Sequence, residues 1–288
     1  MSAVASELVQ RPAAGGRRAG GLRHSAVVRA GTMLVGLVVI LAVAGPALAP
    51  MDPFRASGAP LQPPGAGHWM GTDDLGRDIL SGVLHGTRVS LLVGVVTALI
   101  AAAVGVCVGA TAGFYGGLAD DALMRFTELV QTVPRFFLAV LVAALFGPSL
   151  VFLVVLLGLT FWPGTARLLR AQVLSLRERE YILAARALGL RERRIVVRHI
   201  VPNIVGIVVV SAALQVGTAI LVEASLSFLG LGDRSVVSWG YMLNNAQPFL
   251  RLAWWMSLFP GLALVLAVLG ANLLADGAYA AWDPRARR

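Results

Sequence analysis

Five long stretches of this chain contain no Asp, Glu, Lys or Arg: residues 30–51 (22 residues), 89–119 (31), 136–166 (31), 200–222 (23) and 252–275 (24). A bilayer core about 30 Å thick is crossed by a helix of about 20 apolar residues, and a helix satisfies its own backbone hydrogen bonds there. Each stretch is therefore long enough to span a membrane. A water-soluble globule is excluded, and the composition agrees: 57% of side chains are hydrophobic, 14% are charged, and the mean hydropathy is +0.78. The third stretch contains Gly147, Pro148 and Ser149, a turn signal that divides it into two helices. The expectation is an all-α integral membrane protein with about six transmembrane helices. The part before that turn, 136–146, has only 11 residues. Its helix must begin upstream and carry Arg125, Glu128 or Arg135 toward the membrane.

The basic residues set the topology. There is no lysine, so all 24 basic side chains are arginine. With the N-terminus inside, six spans put 18 arginines on inner segments and five on outer ones, with Arg135 inside a span. This is the positive-inside asymmetry. The net charge of +9 thus reports orientation and contact with anionic lipid, not nucleic acid. Both termini are expected in the cytoplasm. Without lysine the chain has no P-loop and no Schiff-base chemistry of its own. The one cysteine, Cys107, lies in an apolar stretch, lipid-facing or packed, and the four histidines are scattered without metal-ligand spacing. No catalytic or metal site is expected.

Arg17-Arg18, an apolar run and Ala47-Leu48-Ala49 imitate a signal peptide. The run is too long for one, Pro50 follows the would-be cut, and no twin-arginine motif continues after Arg18. An uncleaved first span is expected. The resulting organisation is a disordered cytoplasmic arm (1–26), a first transmembrane helix (27–50), an extracytoplasmic segment (51–87), a membrane core (88–276) with an inner loop (167–201), and a cytoplasmic tail (277–288).

The outer segment mixes prolines and glycines with His68, Trp69, Asp73, Asp74, Arg77 and Asp78. It reads either as an ordered cap anchored by an interfacial tryptophan or as a docking surface for something arriving from outside. The inner loop is more informative. Ser175-Leu176-Arg177-Glu178 fits a capping box. After it, Tyr181, Ala184, Ala185 and Leu188 fall at i, i+3, i+4 and i+7 on one helical face, and Gly189 supplies a stop. A second short helix, with Arg191, Arg193, Arg194 and Arg198, leads to Pro202 in the first turn of the next span. A small-residue stripe flanked by arginines suits either a protein partner with carboxylates or an anionic lipid surface.

Glu180-Tyr181-Ile182-Leu183-Ala184-Ala185-Arg186-Ala187-Leu188-Gly189, followed after nine residues by His199-Ile200-Val201-Pro202, resembles the EAA loop of ABC-importer permeases. Leu183 stands where that motif has glutamate, and Glu180, one turn earlier, is the available substitute; His199 and Val201 also depart from it. The segment from Gly71 to Asp78, then Gly86 to Leu91, Glu223 to Gly232, Ser238-Trp239-Gly240 and Asp283-Pro284-Arg285 are similar to the C-type permeases of the dipeptide, oligopeptide and nickel importer group. The resemblance covers residue 27 to the end.

It implies a type I importer permease fold and a non-catalytic subunit forming half of a path for peptides or a related solute such as nickel, in the plasma (inner) membrane. It also implies a homologous second permease, two cytoplasmic ATP-binding subunits that carry the ATP, and an extracytoplasmic solute-binding protein. Glu180, Tyr181, Ala184, Ala185, Arg186, Gly189 and Pro202 would couple to the ATPases, and Asp73, Asp74, Arg77 and Asp78 would receive the binding protein. Glu128 and Arg135, seven apart, are expected to share a helical face and pair within the bundle, ahead of a contact with the second permease or a place along the path. The competing reading is a self-sufficient secondary carrier or channel whose inner hairpin rests on lipid.

Overall fold

A computed structural model describes residues 16–282, with side-chain surroundings for 28–279. Ten α-helices are present: α1 (Gly16–Leu48), α2 (Ile79–Tyr115), α3 (Gly117–Thr132), α4 (Arg135–Phe146), α5 (Leu150–Arg177), α6 (Glu180–Ala187), α7 (Glu192–Ile195), α8 (Val201–Phe228), α9 (Trp239–Ala246) and α10 (Trp255–Trp282). Strands are absent among the described residues. Among the described residues five helices are long and apolar enough to cross a membrane, six if the bent pair α3–α4 is counted as one broken span. Helix already starts at Gly16, within the arm expected to be disordered; residues 1–15 of that arm lie outside the described residues, as does Asp283-Pro284-Arg285.

Small residues decide which spans touch. Along α2, Gly105, Gly109 and Gly113 recur every four residues and so line one face. A side chain at Gly109 would come within 2.4 Å of the Ala166 carbonyl oxygen, and one at Gly105 within 2.8 Å of Thr165. The backbones of α2 and α5 approach in parallel along this seam, as small-xxx-small spacing permits in membranes. Gly31 against Leu273 and Gly270 against Leu34 do the same for the antiparallel pair α1–α10. Where α2 and α5 meet α8 lies a core of Val93, Ala101, Leu157, Phe161, Trp162, Ala166, Ala219 and Leu226.

Two boundaries differ from the sequence reading for identifiable reasons. Helix α2 starts at Ile79, about ten residues before the charge-free stretch, because Asp78 caps it: its carboxylate accepts from the Ser81 backbone N–H at 2.8 Å. Helix α2 ends at Gly116, where Gly116 and Gly117 both adopt positive φ (67° and 55°) and turn the chain into α3. The helix before the Gly147 turn does not extend upstream as expected: α4 starts at Arg135, and the residues before it form a separate helix, α3, from Gly117. Val133 takes extended dihedrals ahead of Pro134, and α3 and α4 meet at 70°.

Two helical rods outrun the membrane. Helix α2 has 37 residues, and so does the continuous run 192–228, in which α7 joins α8 through a π turn at Val196–Ile200. At 1.5 Å per residue each is about 55 Å long. The excess of α2 builds a cap at one end of the bundle, and the excess of 192–228 builds a hairpin at the other.

Candidate functional site: the inner hairpin and the outer cap

The hairpin begins where α5 ends. Ser175 does not cap a new helix as the sequence suggested. Helix α5 runs through it to Arg177, because Leu169, Val173 and Leu176 continue its buried face (0%, 0% and 4% exposed). The break falls at Glu178–Arg179, and α6 starts at Glu180. Its inward face is Ile182 with Ala185. Both lie in a cluster with Phe114, Leu169, Val173, Leu176, Ile195, Ile200 and Ile204, which ties the hairpin to the ends of α2, α5 and α8. Burying an isoleucine fully is worth about 1.5–3 kcal/mol, and four isoleucines of this cluster are completely inaccessible. The hairpin is therefore a rigid extension of the bundle.

Its outward face is apolar and open. Tyr181, Ala184 and Leu188 are exposed, Leu188 by 80%. Three members of the expected stripe point outward, while Ala185 faces the core. Leu183 is exposed beside them, as are Glu180 and Arg186, whose guanidinium lies 4.9 Å from the centroid of the Phe114 ring. Gly189 has φ +73°, its N–H donates to the Arg186 carbonyl at 2.9 Å, and the Leu190 N–H donates to that of Ala185 at 3.2 Å. These two bonds form a Schellman stop. An open cleft of about 640 Å³ follows, lined by Gly189, Leu190, Arg191, Arg193, Arg194 and Val197. Pro202 sits in the first turn of α8, and no break precedes it. The Val201 N–H bonds back to Val196, five residues away, so the π turn carries the helix up to the proline, which has no N–H to donate.

At the opposite end, the cap uses most of the charges expected to dock a partner. Asp78 is 2% exposed; besides capping α2 it accepts from Ser81 Oγ at 2.7 Å and meets His68 Nδ1 at 3.0 Å. Asp78 thus offers no surface to a partner, which corrects the sequence reading. Asp73 accepts from the backbone N–H groups of Leu75 and Arg77 at 2.9 and 2.8 Å. Burial raises its pKa in spite of those two bonds. Arg77 donates to the Tyr241 hydroxyl at 3.3 Å, which fastens the cap to α9. Of the four charges, only Asp74 is partly exposed without a structural bond of this kind. This surface also opens two large apolar side chains, Trp69 at 78% and Leu75 at 53% exposed, beside the exposed Asp52–Arg55 ion pair.

The expected Glu128–Arg135 pair is not formed. The bend at Val133–Pro134 removes the shared helical face, both residues are exposed, and Arg135 lies 4.8 Å from the centroid of the Phe161 ring. Two polar arrangements were not foreseen. Arg170 donates two bonds to Asp120, both at 2.5 Å, joining α5 to α3. Glu223, 1% exposed, accepts from Ser227 Oγ at 2.7 Å and Ser238 Oγ at 2.8 Å, joining α8 to the start of α9. The Asn244 and Gln247 amides also donate to the Phe228 carbonyl, so the Phe228 end of α8 is held to α9 at several points.

Residues 105–288 match the family model described as the inner membrane component of binding-protein-dependent transport systems. The chain belongs to that family. The bundle, hairpin and cap are accordingly those of a type I ABC importer permease, a multi-pass membrane protein. Among similar proteins, the dipeptide transport system permease protein DppC of Bacillus subtilis is 39% identical over 270 residues, covering 93% of this chain and 84% of the relative. The oligopeptide transport system permease protein OppC of Mycobacterium tuberculosis is 40% identical over 266 residues (90% and 91%). A putative peptide permease protein of Brucella suis is 43% identical over 222 residues (76% and 74%).

Proposed function

We propose that this chain forms half of the translocation path of an ATP-driven peptide importer and transmits the motion of separate ATPase subunits through the hairpin 178–200. The observation that carries this reading is the two-sided build of α6. Ile182 and Ala185 anchor it to the bundle, while Tyr181, Ala184 and Leu188 present an apolar face to solvent. Exposed apolar patches mark protein or membrane interaction sites, and the arginines beside this one suit a partner's carboxylates; α6 leads through the Gly189 turn into the rod 192–228. A pull on α6 would tilt α5 and α8 together, a rigid-body switch between outward-facing and inward-facing states. Glu180, Tyr181, Ala184, Arg186 and Gly189 would form the ATPase seat, Ala185 its internal anchor, and Pro202 the joint to α8. ATP would be bound by the two partner subunits, a second homologous permease would complete the path, and a solute-binding protein would dock on the cap, with Asp74, Trp69 and Leu75 as its contacts. Both termini would be cytoplasmic. Peptides are favoured over nickel as solute, since the similar proteins are named for peptides.

The reading is tested by disulfide trapping in the assembled complex with Cys107→Ser. A cysteine at Ala184 or Leu188 should cross-link to a cysteine-bearing ATPase subunit, and one at Ile182 should not. Equal trapping at all three positions, or none at Leu188, contradicts it.

A further inference from the structure

We infer that Arg135 binds the carboxylate of the transported solute inside the membrane; the inference rests on the importer reading above. Depth comes first. The guanidinium stacks over Phe161, which lies 11 residues after Leu150, the first residue of α5, and six before Arg167, the first charged residue after the charge-free stretch. At 1.5 Å per residue these separations are about 16 and 9 Å. Arg135 therefore sits inside a slab about 30 Å thick, nearer the end that Arg167 marks. Helix α4 puts 12 residues between Pro134 and the turn at Gly147.

Charge comes second. Among the described residues no carboxylate lies within 4.0 Å of Arg135, whereas Arg170 at the end of the bundle is matched by Asp120. One aromatic face offsets only part of the cost of holding a guanidinium inside the bilayer, so its open edge needs an anion or water. Backbone comes third. The helix is interrupted at Val133–Pro134, directly before Arg135. Irregular backbone at membrane depth is tolerated only against protein or along an aqueous cavity, which places this side of α3–α4 away from lipid. A guanidinium fork matches a carboxylate in two parallel bonds, and every unmodified linear peptide carries one at its C-terminus. The same break explains why Glu128 is not the partner.

The test uses the assembled importer in lipid vesicles, carrying Cys107→Ser and Arg135→Cys, with radiolabelled dialanine as probe. ATP-driven uptake should fall about tenfold or more, the equivalent of one lost charge-assisted bond. Aminoethyl methanethiosulfonate, which adds an ammonium, should restore it, and the methyl and sulfonatoethyl reagents should not. Dialanine-loaded binding protein with ATP should slow the labelling severalfold relative to peptide-free binding protein. Arg135→Lys should retain more uptake than Arg135→Gln. A thiol that resists labelling in the assembled complex, or labels equally fast with and without dialanine, overturns the inference. Loss of the second permease on purifying Arg135→Gln also overturns it and assigns the arginine to a subunit contact. If the Cys107→Ser complex with Arg135 intact takes up no dialanine with ATP, it is the importer reading that fails.

Discussion

Gly189 offers a sharp test of how the hairpin works, because its role is purely conformational. Its φ is +73°, and a Cβ built on it meets nothing within 4 Å. Substitution therefore creates no clash; the cost is that of forcing an L-residue into the left-handed region, about 1–2 kcal/mol. That energy corresponds to a factor of roughly 5–30 in the population of the native stop. Valine takes the full penalty because β-branching restricts it further, whereas asparagine tolerates this conformation. The isoleucine cluster is untouched by either change, so the protein should reach the membrane in normal amount. In reconstituted vesicles with ATPases and binding protein, Gly189→Val should keep ATP hydrolysis within about twofold while peptide taken up per ATP falls severalfold. Gly189→Asn should stay close to wild type. Equal transport by the valine and asparagine variants would show that the left-handed stop does not set the hairpin's working geometry.

Other consequences follow from the packing and the polar contacts. Gly109→Leu drives a side chain into the Ala166 carbonyl across the α2–α5 seam and should cost several kcal/mol, seen as loss of monodisperse protein in detergent; Gly164→Ala on α5, which meets nothing within 4 Å, should be silent. Asp78→Ala removes the α2 cap and should lower stability by about 1 kcal/mol, read as a drop in the detergent melting temperature, with Asp78→Asn recovering most of it. Removing Arg170 leaves the buried Asp120 carboxylate uncompensated, so Arg170→Leu should lower the melting temperature more than Asp120→Asn does. Burial raises the Asp233 carboxyl, but the Ser235 side chain and the backbone N–H groups of Leu150 and Ser235 outweigh it, leaving its pKa below the ordinary 3.8. Its contribution is thus present above pH 3.8 and lost as pH falls through the lowered value. The detergent melting temperature should therefore drop as pH falls through that lowered value, and Asp233→Asn should flatten this part of the profile.

The spans and the hairpin were legible because they rest on features that survive without tertiary context: charge-free length and a glycine stop. What failed depended on packing. Ser175-Leu176-Arg177-Glu178 has the letters of a capping box, yet Leu169, Val173 and Leu176 keep the α5 stripe in register, and burying that stripe outweighs a local cap. The pairing of Glu128 with Arg135 assumed a continuous helix, although Pro134 and the extended preference it imposes on Val133 stood between them. Asp78 looked like a surface charge because a sequence does not show that His68 and Ser81 converge on it. The Gly105, Gly109, Gly113 spacing was present in the sequence and would have announced the α2–α5 seam. Asp120 with Arg170, and Glu223 with Ser227 and Ser238, had no comparable local signal, since the first joins residues 50 apart and the second joins two helices.

The central claim is that the bundle moves only when an ATPase pulls on the hairpin, and vesicle uptake of labelled dialanine measures this directly. The complete complex should accumulate peptide with ATP and stop without it, while the purified chain alone should accumulate none under a proton or sodium gradient. Gradient-driven accumulation by the isolated chain would establish a self-sufficient carrier and contradict the account.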